Sequence, residues 1–225
     1  MDLQRIEDLF PDWRYDHPRI LYALIRSLKP EICVEVGTYR GYAACYMGQA
    51  LKENAKGRLY CIDDFSEGAR NGYDADHWRG NINALQLGGY VTLLEGKSSE
   101  VQWPKKVDFA YVDGWHSYTA CMDDVIRCVA RGAECVCIDD ITTTIGPRNV
   151  ADVLRDRSVF DVVEVLRDCG LAICMKRKDK PQCTFSQELP NHPGMVMAGW
   201  TPEQVRAHLA EVSKTTGINY DSFVI

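Results

Sequence analysis

Short apolar runs rich in β-branched residues alternate along this chain with segments of helical periodicity. The first five apolar runs cover about residues 31–36, 58–63, 90–95, 107–112 and 134–139. The helical patterns fall near residues 41–53, 76–87, 118–130 and 149–157. This alternation predicts a doubly wound α/β fold around a parallel sheet. Two further runs, 159–167 and 171–177, are separated by only three residues, so they should pair as an antiparallel hairpin.

The two ends of the chain carry additional elements. Residues 1–30 contain two helical patterns, and Pro30 ends the second of them. Residues 179–200 are rich in Pro, Gln, Asn and Gly, and Thr201-Pro202 begins a helical pattern near 202–214. We therefore expect a helical cap (1–30), a main domain (31–178) and a C-terminal loop and helix extension (179–225). The last helix could pack on its own domain or on a second subunit, which leaves a homodimer open.

Composition narrows the class of protein. The net charge of −6 is spread along the 225 residues, so we expect no nucleic-acid partner. Apolar stretches are too short for a membrane span and the N-terminus does not resemble a signal peptide, which favours a cytoplasmic protein. Most of the ten cysteines lie inside apolar runs and form no C-x-x-C, as expected for reduced core thiols.

The segment after the first apolar run is the most informative in the chain. Glu35 lies near the end of the run, and Gly37 and Gly41 follow before a helical pattern begins. Glycines let the backbone approach a ligand closely, and a helix start offers unpaired N–H groups. The spacing is neither that of a P-loop nor G-x-G-x-x-G. An acidic residue here favours a ligand with a cationic amine, such as S-adenosylmethionine, although ordinary strand-to-helix turns can look the same.

Acidic residues lie at or just after the end of each of the first five predicted strands. In an open α/β sheet, ligands bind beyond the carboxyl ends of the strands. A single acidic residue at a strand end is readily explained as a helix cap, but capping alone does not readily explain five on the same edge of the sheet. The residues concerned are Glu35, Asp63-Asp64, Glu95, Asp113 and Asp139-Asp140.

Several of these positions suit particular parts of a nucleoside cofactor or a cation. Asp63 could accept hydrogen bonds from ribose hydroxyls, or it could cap a loop. Ser98, after the third strand, could contact adenine. Asp113, Asp139 and Asp140 could form an all-oxygen site for Mg²⁺, Mn²⁺ or Ca²⁺, because a cation relieves the repulsion between neighbouring carboxylates. Alternatively, one of the Asp139-Asp140 pair caps the following turn.

His116 follows Asp113 by three residues and is the candidate general base. Imidazole, with an ordinary pKa of about 6.5, can accept a proton near neutral pH. A structural histidine is the alternative. Trp115 could wall the adenine or the acceptor, or it could be a hydrophobic lid. In the loop after the second strand, Arg70, Tyr73, His77 and Trp78 could contact an acceptor, although surface residues of an ordinary loop would look the same.

Taken together, these motifs resemble those of the class I, metal-dependent small-molecule O-methyltransferases. Residues 34–42, VEVGTYRGY, resemble the LELGAYCGY loop of catechol O-methyltransferases, and residues 113–116 and 139–140 are similar to their DHWK and DN. Residues 111–118, YVDGWHSY, resemble the FIDGDHSY pattern of the bacterial macrocin O-methyltransferase branch. The resemblance covers about residues 31–178.

The resemblance implies a Rossmann-like, seven-stranded, mostly parallel sheet with an antiparallel C-terminal hairpin. It also implies roles for individual residues. The methionine part of S-adenosylmethionine would contact Glu35, Gly37, Thr38, Tyr39 and Gly41, the ribose would contact Asp63, and the adenine would contact Ser98 and Trp115. A divalent cation, with Mg²⁺ as the first choice, would bind to Asp113, Asp139 and Asp140. Asp113 would adjoin both the cofactor and the reaction centre.

Two departures from the catechol enzymes change the expected acceptor. His116 stands where they have a lysine base, and Asp140 stands where they have an asparagine ligand. We therefore expect a small-molecule acceptor other than catechol: a sugar, a polyol or a natural product. Two alternatives remain open, a metal-dependent hydroxylase-like relative and a cofactor-binding module without catalysis. A two-histidine iron triad is missing from the sequence around His116, which disfavours the hydroxylase.

Overall fold

The computed structural model describes residues 3–13, 15–156 and 160–178. Its helices are α1 (Leu3–Leu9), α2 (His17–Leu28), α3 (Tyr42–Asn54), α4 (Ala75–Ala84), α5 (Tyr118–Ala130) and α6 (Ile145–Asp156), with a short 3-10 turn at Gly68–Asn71. Its strands are β1 (Ile32–Val36), β2 (Arg58–Asp63), β3 (Val91–Glu95), β4 (Phe109–Val112), β5 (Cys135–Ile138), β6 (Phe160–Val165) and β7 (Leu171–Lys176). The helix expected near 202–214 lies outside the described residues.

The seven strands follow the order β3-β2-β1-β4-β5-β7-β6. β1 pairs in parallel with β2 and β4, and β2 pairs in parallel with β3. β7 pairs antiparallel with β5 and with β6. The predicted Rossmann-like, mostly parallel sheet with an antiparallel C-terminal hairpin is therefore confirmed. The strand order reverses direction between β1 and β4, the position where open α/β sheets bind their ligands.

The described residues form two compact units. The first contains the chain up to Gly114 together with Arg131–Ala133, and its core includes α2 packed on α3. The second contains Trp115–Ala130 and the described residues from Glu134 onwards, and there α5 packs on α6. Both cores are mainly apolar, as the amphipathic patterns of their helices require. The boundaries expected at residues 30 and 178 stay a prediction.

The described cysteines are free thiols that serve as small core residues. All nine are buried except Cys169, which is half-buried. Burial raises the pKa of Cys45 and of Cys61, so these thiols stay protonated and unreactive near neutral pH. Cys135 and Cys137 lie two residues apart in β5 and so share one face of the strand.

Helix α6 begins at Ile145, four residues before the predicted start at 149. The preceding threonines and the Gly146-Pro147 pair look like a loop in the sequence. Proline is nevertheless well accommodated in the first turn of a helix, where its missing N–H has no partner to lose. No helix in the described part of the chain is long and apolar enough to span a bilayer.

Candidate active site

The loop between β1 and α3 is shaped by two glycines with left-handed backbone angles. Gly37 has φ of 81° and Gly41 has φ of 85°, values that favour glycine. A Cβ atom on Gly37 would lie 1.9 Å from the carbonyl oxygen of Asp113, at the end of β4. Because Gly37 has no side chain, this loop can pack against the end of β4, where the strand order reverses direction.

Asp63, at the end of β2, holds this loop through its carboxylate. Its Oδ2 accepts the N–H groups of Thr38 at 2.9 Å and of Tyr39 at 2.7 Å. Its Oδ1 accepts the N–H of Phe65 at 2.7 Å. Consecutive amides of this kind bind phosphate in P-loops, but here an internal carboxylate occupies them. The loop therefore does not present these amides to a pyrophosphate.

Glu35 is a deeply buried acid beneath the loop, with 1% of its surface exposed. Burial raises the pKa of its carboxyl to about 7; hydrogen bonds from Cys61 and Thr38 oppose the rise, and the charge of Asp63 adds to it. Its Oε2 atom has no hydrogen-bond partner among the described residues. An acceptor left without a donor in the interior suits a ligand that brings an N–H or N⁺–H group.

Because the pKa of Glu35 is raised, we expect the stability of the cofactor-free protein to depend on pH. The folded state binds the proton more tightly than the unfolded chain, so the stability from this group is complete below pH 4.5 and is lost as pH rises through about 7. Glu35→Gln should therefore gain stability relative to wild type, by on the order of 3 kcal/mol between pH 4.5 and pH 8. Thermal unfolding across that range measures the gain.

The exposed Glu67 provides a matched control for this experiment, because Glu67→Gln removes a carboxylate in the same unit without changing the interior. Its unfolding temperatures should run parallel to those of wild type. Parallel curves for Glu35→Gln as well would contradict the assignment of a raised pKa to Glu35.

Trp78, on α4, braces the loop from the side and is 3% exposed. Its Nε1 donates to the hydroxyl of Thr38 at 2.9 Å, and its ring lies 3.0 Å from where a Cβ on Gly41 would be. The sequence left open an acceptor contact or an ordinary surface residue; Trp78 is not a surface residue, and the acceptor contact stays a prediction. Helix α4 begins early enough to bury Trp78 because Asp74 caps it, accepting the N–H groups of Asp76 and His77.

Ser98 and Asp113 follow β3 and β4 in the first unit. The carbonyl of Ser98 accepts a hydrogen bond from Trp103 Nε1 at 2.7 Å, and the residue is half-buried. The hydroxyl of the buried Tyr111 donates to Asp113 Oδ2 at 3.1 Å. Tyr111 was not among the predicted site residues, although residues two apart share a face of a strand.

In the second unit, His116 and Asp140 form a direct pair. His116 Nε2 lies 3.0 Å from Asp140 Oδ2, and 41% of the histidine side chain is exposed. Burial acts to raise the pKa of Asp140, but hydrogen bonds from His116 and Thr143 outweigh it and the pKa is lowered. Asp140 therefore stays ionised and holds the imidazole in place.

Asp140 also organises the turn that follows β5, as one of the sequence alternatives expected. Its φ is 60°, its Oδ1 accepts the hydroxyl of Thr143 at 2.8 Å, and its carbonyl accepts the N–H of Thr144. Its neighbour Asp139 is buried, and the thiol of Cys169 donates to its Oδ1 at 3.6 Å. Turn formation and ligand binding are thus compatible roles for Asp140, because each carboxylate oxygen has more than one lone pair.

The backbone around His116 is supported by the start of α6. A Cβ atom on Gly146 would lie 2.2 Å from the carbonyl oxygen of His116. This contact joins residues 30 positions apart and leaves no pattern in the sequence. Trp115, by contrast, is 69% exposed, and so its ring is open to a ligand.

Comparison with known proteins gives a consistent assignment. Residues 34–141 match a family model described as a methyltransferase domain. No curated protein matches the chain. Solved structures share the fold at low sequence identity, and three of them serve as examples. The SAH-bound Podospora anserina methyltransferase PaMTH1 is 14% identical, with a TM-score of 0.57 over 77% of this chain and 85% of its own.

The other two structures are O-methyltransferases. The enzyme from Bacillus cereus, in complex with SAH, is 14% identical, with a TM-score of 0.59 over 78% of this chain and 90% of its own. TomG from Streptomyces achromogenes, involved in tomaymycin synthesis and in complex with SAM, is 15% identical, with a TM-score of 0.54 over 76% of this chain and 86% of its own. The family match identifies residues 34–141 as a methyltransferase domain, and the shared fold is the class I methyltransferase fold that the resemblance of the motifs predicted.

Proposed function

We propose that this methyltransferase transfers the methyl group of S-adenosylmethionine to a hydroxyl oxygen of a small molecule, such as a sugar, a polyol or a natural product. The observation that carries the proposal is the loop after β1, where Asp63 occupies the amides and Glu35 is left with a buried acceptor. Such a loop suits a cofactor with an ammonium group. The O-methyltransferases with a similar fold support oxygen as the accepting atom.

The cofactor would lie along the carboxyl ends of β1 to β4. Glu35, Gly37, Thr38, Tyr39 and Gly41 would hold the methionine part. Asp63 would accept a ribose hydroxyl through a lone pair that its amide bonds leave free. Ser98, Asp113 and the exposed ring of Trp115 would adjoin the adenosine.

The donor set Asp113, Asp139 and Asp140 consists of carboxylate oxygens, the ligands that Mg²⁺ prefers. The lowered pKa of Asp140 keeps at least that ligand ionised near neutral pH. We propose that these three residues hold a divalent cation, which would lower the pKa of the acceptor hydroxyl when bound.

His116 would act as the general base of the reaction. It would take the proton of the acceptor hydroxyl, and the oxygen would then bond to the methyl carbon that S-adenosylmethionine supplies, with neutral S-adenosylhomocysteine as the leaving group. The 3.0 Å pair with Asp140 supports this role, because it would orient the imidazole for the proton transfer. Alignment of oxygen, carbon and sulfur supplies much of the acceleration, because the sulfonium is already a good leaving group.

Methyl transfer from radiolabelled S-adenosylmethionine to a library of hydroxylated acceptors tests this proposal. We expect calorimetry to detect cofactor binding, the library to yield at least one O-methylated product, and prior treatment with EDTA to lower turnover at least tenfold, with recovery on addition of Mg²⁺. Cofactor binding without any methylated product would overturn the activity. Full turnover after EDTA treatment would overturn the proposed role of the cation but would leave the proposed methyl transfer intact.

The proposal includes a cytoplasmic setting, since buried free thiols are typical of reducing compartments. We also propose that residues 1–30 form a cap, that residues 179–225 form an extension, and that the protein can form a homodimer.

A further inference from the structure

Arg40 lies between Tyr39 and Gly41 in the loop after β1, and aromatic rings surround its guanidinium group. The Cζ atom is 4.3 Å from the ring centroid of Tyr73, 5.7 Å from that of Trp13 and 5.8 Å from that of Phe10. Phe10 and Trp13 come from the connection between α1 and α2, and Tyr73 precedes α4. Three rings from two separate segments of the first unit thus converge on one cation.

This cation lacks an anionic partner among the described residues. In the same unit, Arg19, Arg26 and Arg79 each contact a carboxylate. Arg40 is half-buried, and its Nε atom is fully buried with no hydrogen-bond partner in the described part of the chain. Aromatic faces attract a cation but accept few directional hydrogen bonds, so the donors of the guanidinium remain available.

The rings around Arg40 continue into the residue that we assign to the cofactor. Tyr39 is stacked on Trp13 with centroids 5.7 Å apart and planes 19° apart, and its ring is 5.5 Å from that of Tyr73. The cluster of Phe10, Trp13, Tyr39, Arg40 and Tyr73 therefore extends from the methionine-binding part of the loop. A molecule bound against it would lie beside the methyl donor.

We propose that this aromatic cluster binds the methyl acceptor and that Arg40 recognises an anionic group on it, a carboxylate or a phosphate. The planar guanidinium fork matches both groups in geometry, and the aromatic surroundings strengthen the charge interaction by limiting competition from water. The inference rests on the proposed function, because it names the acceptor's chemical class. It narrows the acceptors to hydroxylated molecules that also carry a negative charge.

Ligand-observed NMR on the SAH-saturated protein tests this inference with three probes of similar size: benzoate, phenyl phosphate and the neutral benzamide. We expect at least one of the two anions to bind at least tenfold more tightly than benzamide, and the comparison between them tells carboxylate from phosphate. Arg40→Met, which keeps an apolar stem but no charge, should weaken anion binding at least tenfold. Arg40→Lys should retain part of it.

Arg58→Met is the matched control, because it removes one positive charge from an arginine of the same unit that bonds the hydroxyl of Thr92 and the carbonyl of Gly89. Anion binding should be unchanged in this variant. Equal binding of anions and benzamide to wild type, or unchanged anion binding by a folded Arg40→Met, would overturn the inference; the wild-type comparison decides even if that variant fails to fold. Absence of SAH binding would instead count against the proposed function, and the probes can then be titrated into the protein alone.

Discussion

Gly37→Ala should abolish detectable binding of S-adenosylmethionine and lower the free energy of unfolding by about 2 kcal/mol or more. Two effects combine at this position. An alanine with φ of 81° is strained, and its Cβ atom would overlap the carbonyl oxygen of Asp113 at 1.9 Å. Because the obstacle is backbone, the loop itself has to move, and the amides that contact Asp63 move with it. Calorimetric titration and urea unfolding measure the two losses.

Gly72→Ala separates strain from overlap. Gly72 has φ of 76°, but a Cβ atom there would meet nothing within 4 Å. This control should lose only about 1 kcal/mol of stability and should bind the cofactor like wild type. If both variants bind the cofactor equally well, the loop after β1 is not the cofactor site.

His116→Ala should lower turnover about 10²- to 10⁴-fold at saturating acceptor while the affinity for S-adenosylmethionine changes less than about twofold. In the proposed reaction, the imidazole takes a proton from the acceptor and has no assigned contact with the cofactor. Single-turnover methyl transfer to an acceptor from the library, together with calorimetric titration of the cofactor, measures both quantities.

His77→Ala is the control for this change, because His77 also pairs with an aspartate, Asp74, at 2.8 Å and is similarly exposed. The proposed reaction gives His77 no proton to move, so its turnover number should stay within about threefold of wild type. A turnover number for His116→Ala that equals this control would discard His116 as the base.

The strands and the loop after β1 were predictable because short-range patterns determine them. Alternating apolar runs locate a parallel sheet, and the spacing of Gly37 and Gly41 locates the turn between β1 and α3. The antiparallel hairpin was equally accessible, since three residues cannot carry a crossover connection. In each case the decisive information lies in patterns that are local along the chain.

Long-range side-chain contacts were not predictable in the same way. Trp78 and Thr38 are 40 positions apart, and only the fold brings the indole to the hydroxyl. Likewise, the sequence placed Asp63 near the cofactor but could not show that its carboxylate is already bonded to Thr38 and Tyr39. The early start of α6 could not be predicted for another reason. Threonine, glycine and proline favour loops in general, but they are tolerated in the first turn of a helix.

The bonds from Asp63 to the loop have a consequence for the kinetics of cofactor capture. A glycine-containing turn that had to become ordered around its ligand would lose conformational entropy at the moment of association. Here folding itself has already fixed that turn, so the incoming cofactor meets a preorganised surface. Its arrival should therefore be governed by diffusion and desolvation rather than by a slow local rearrangement.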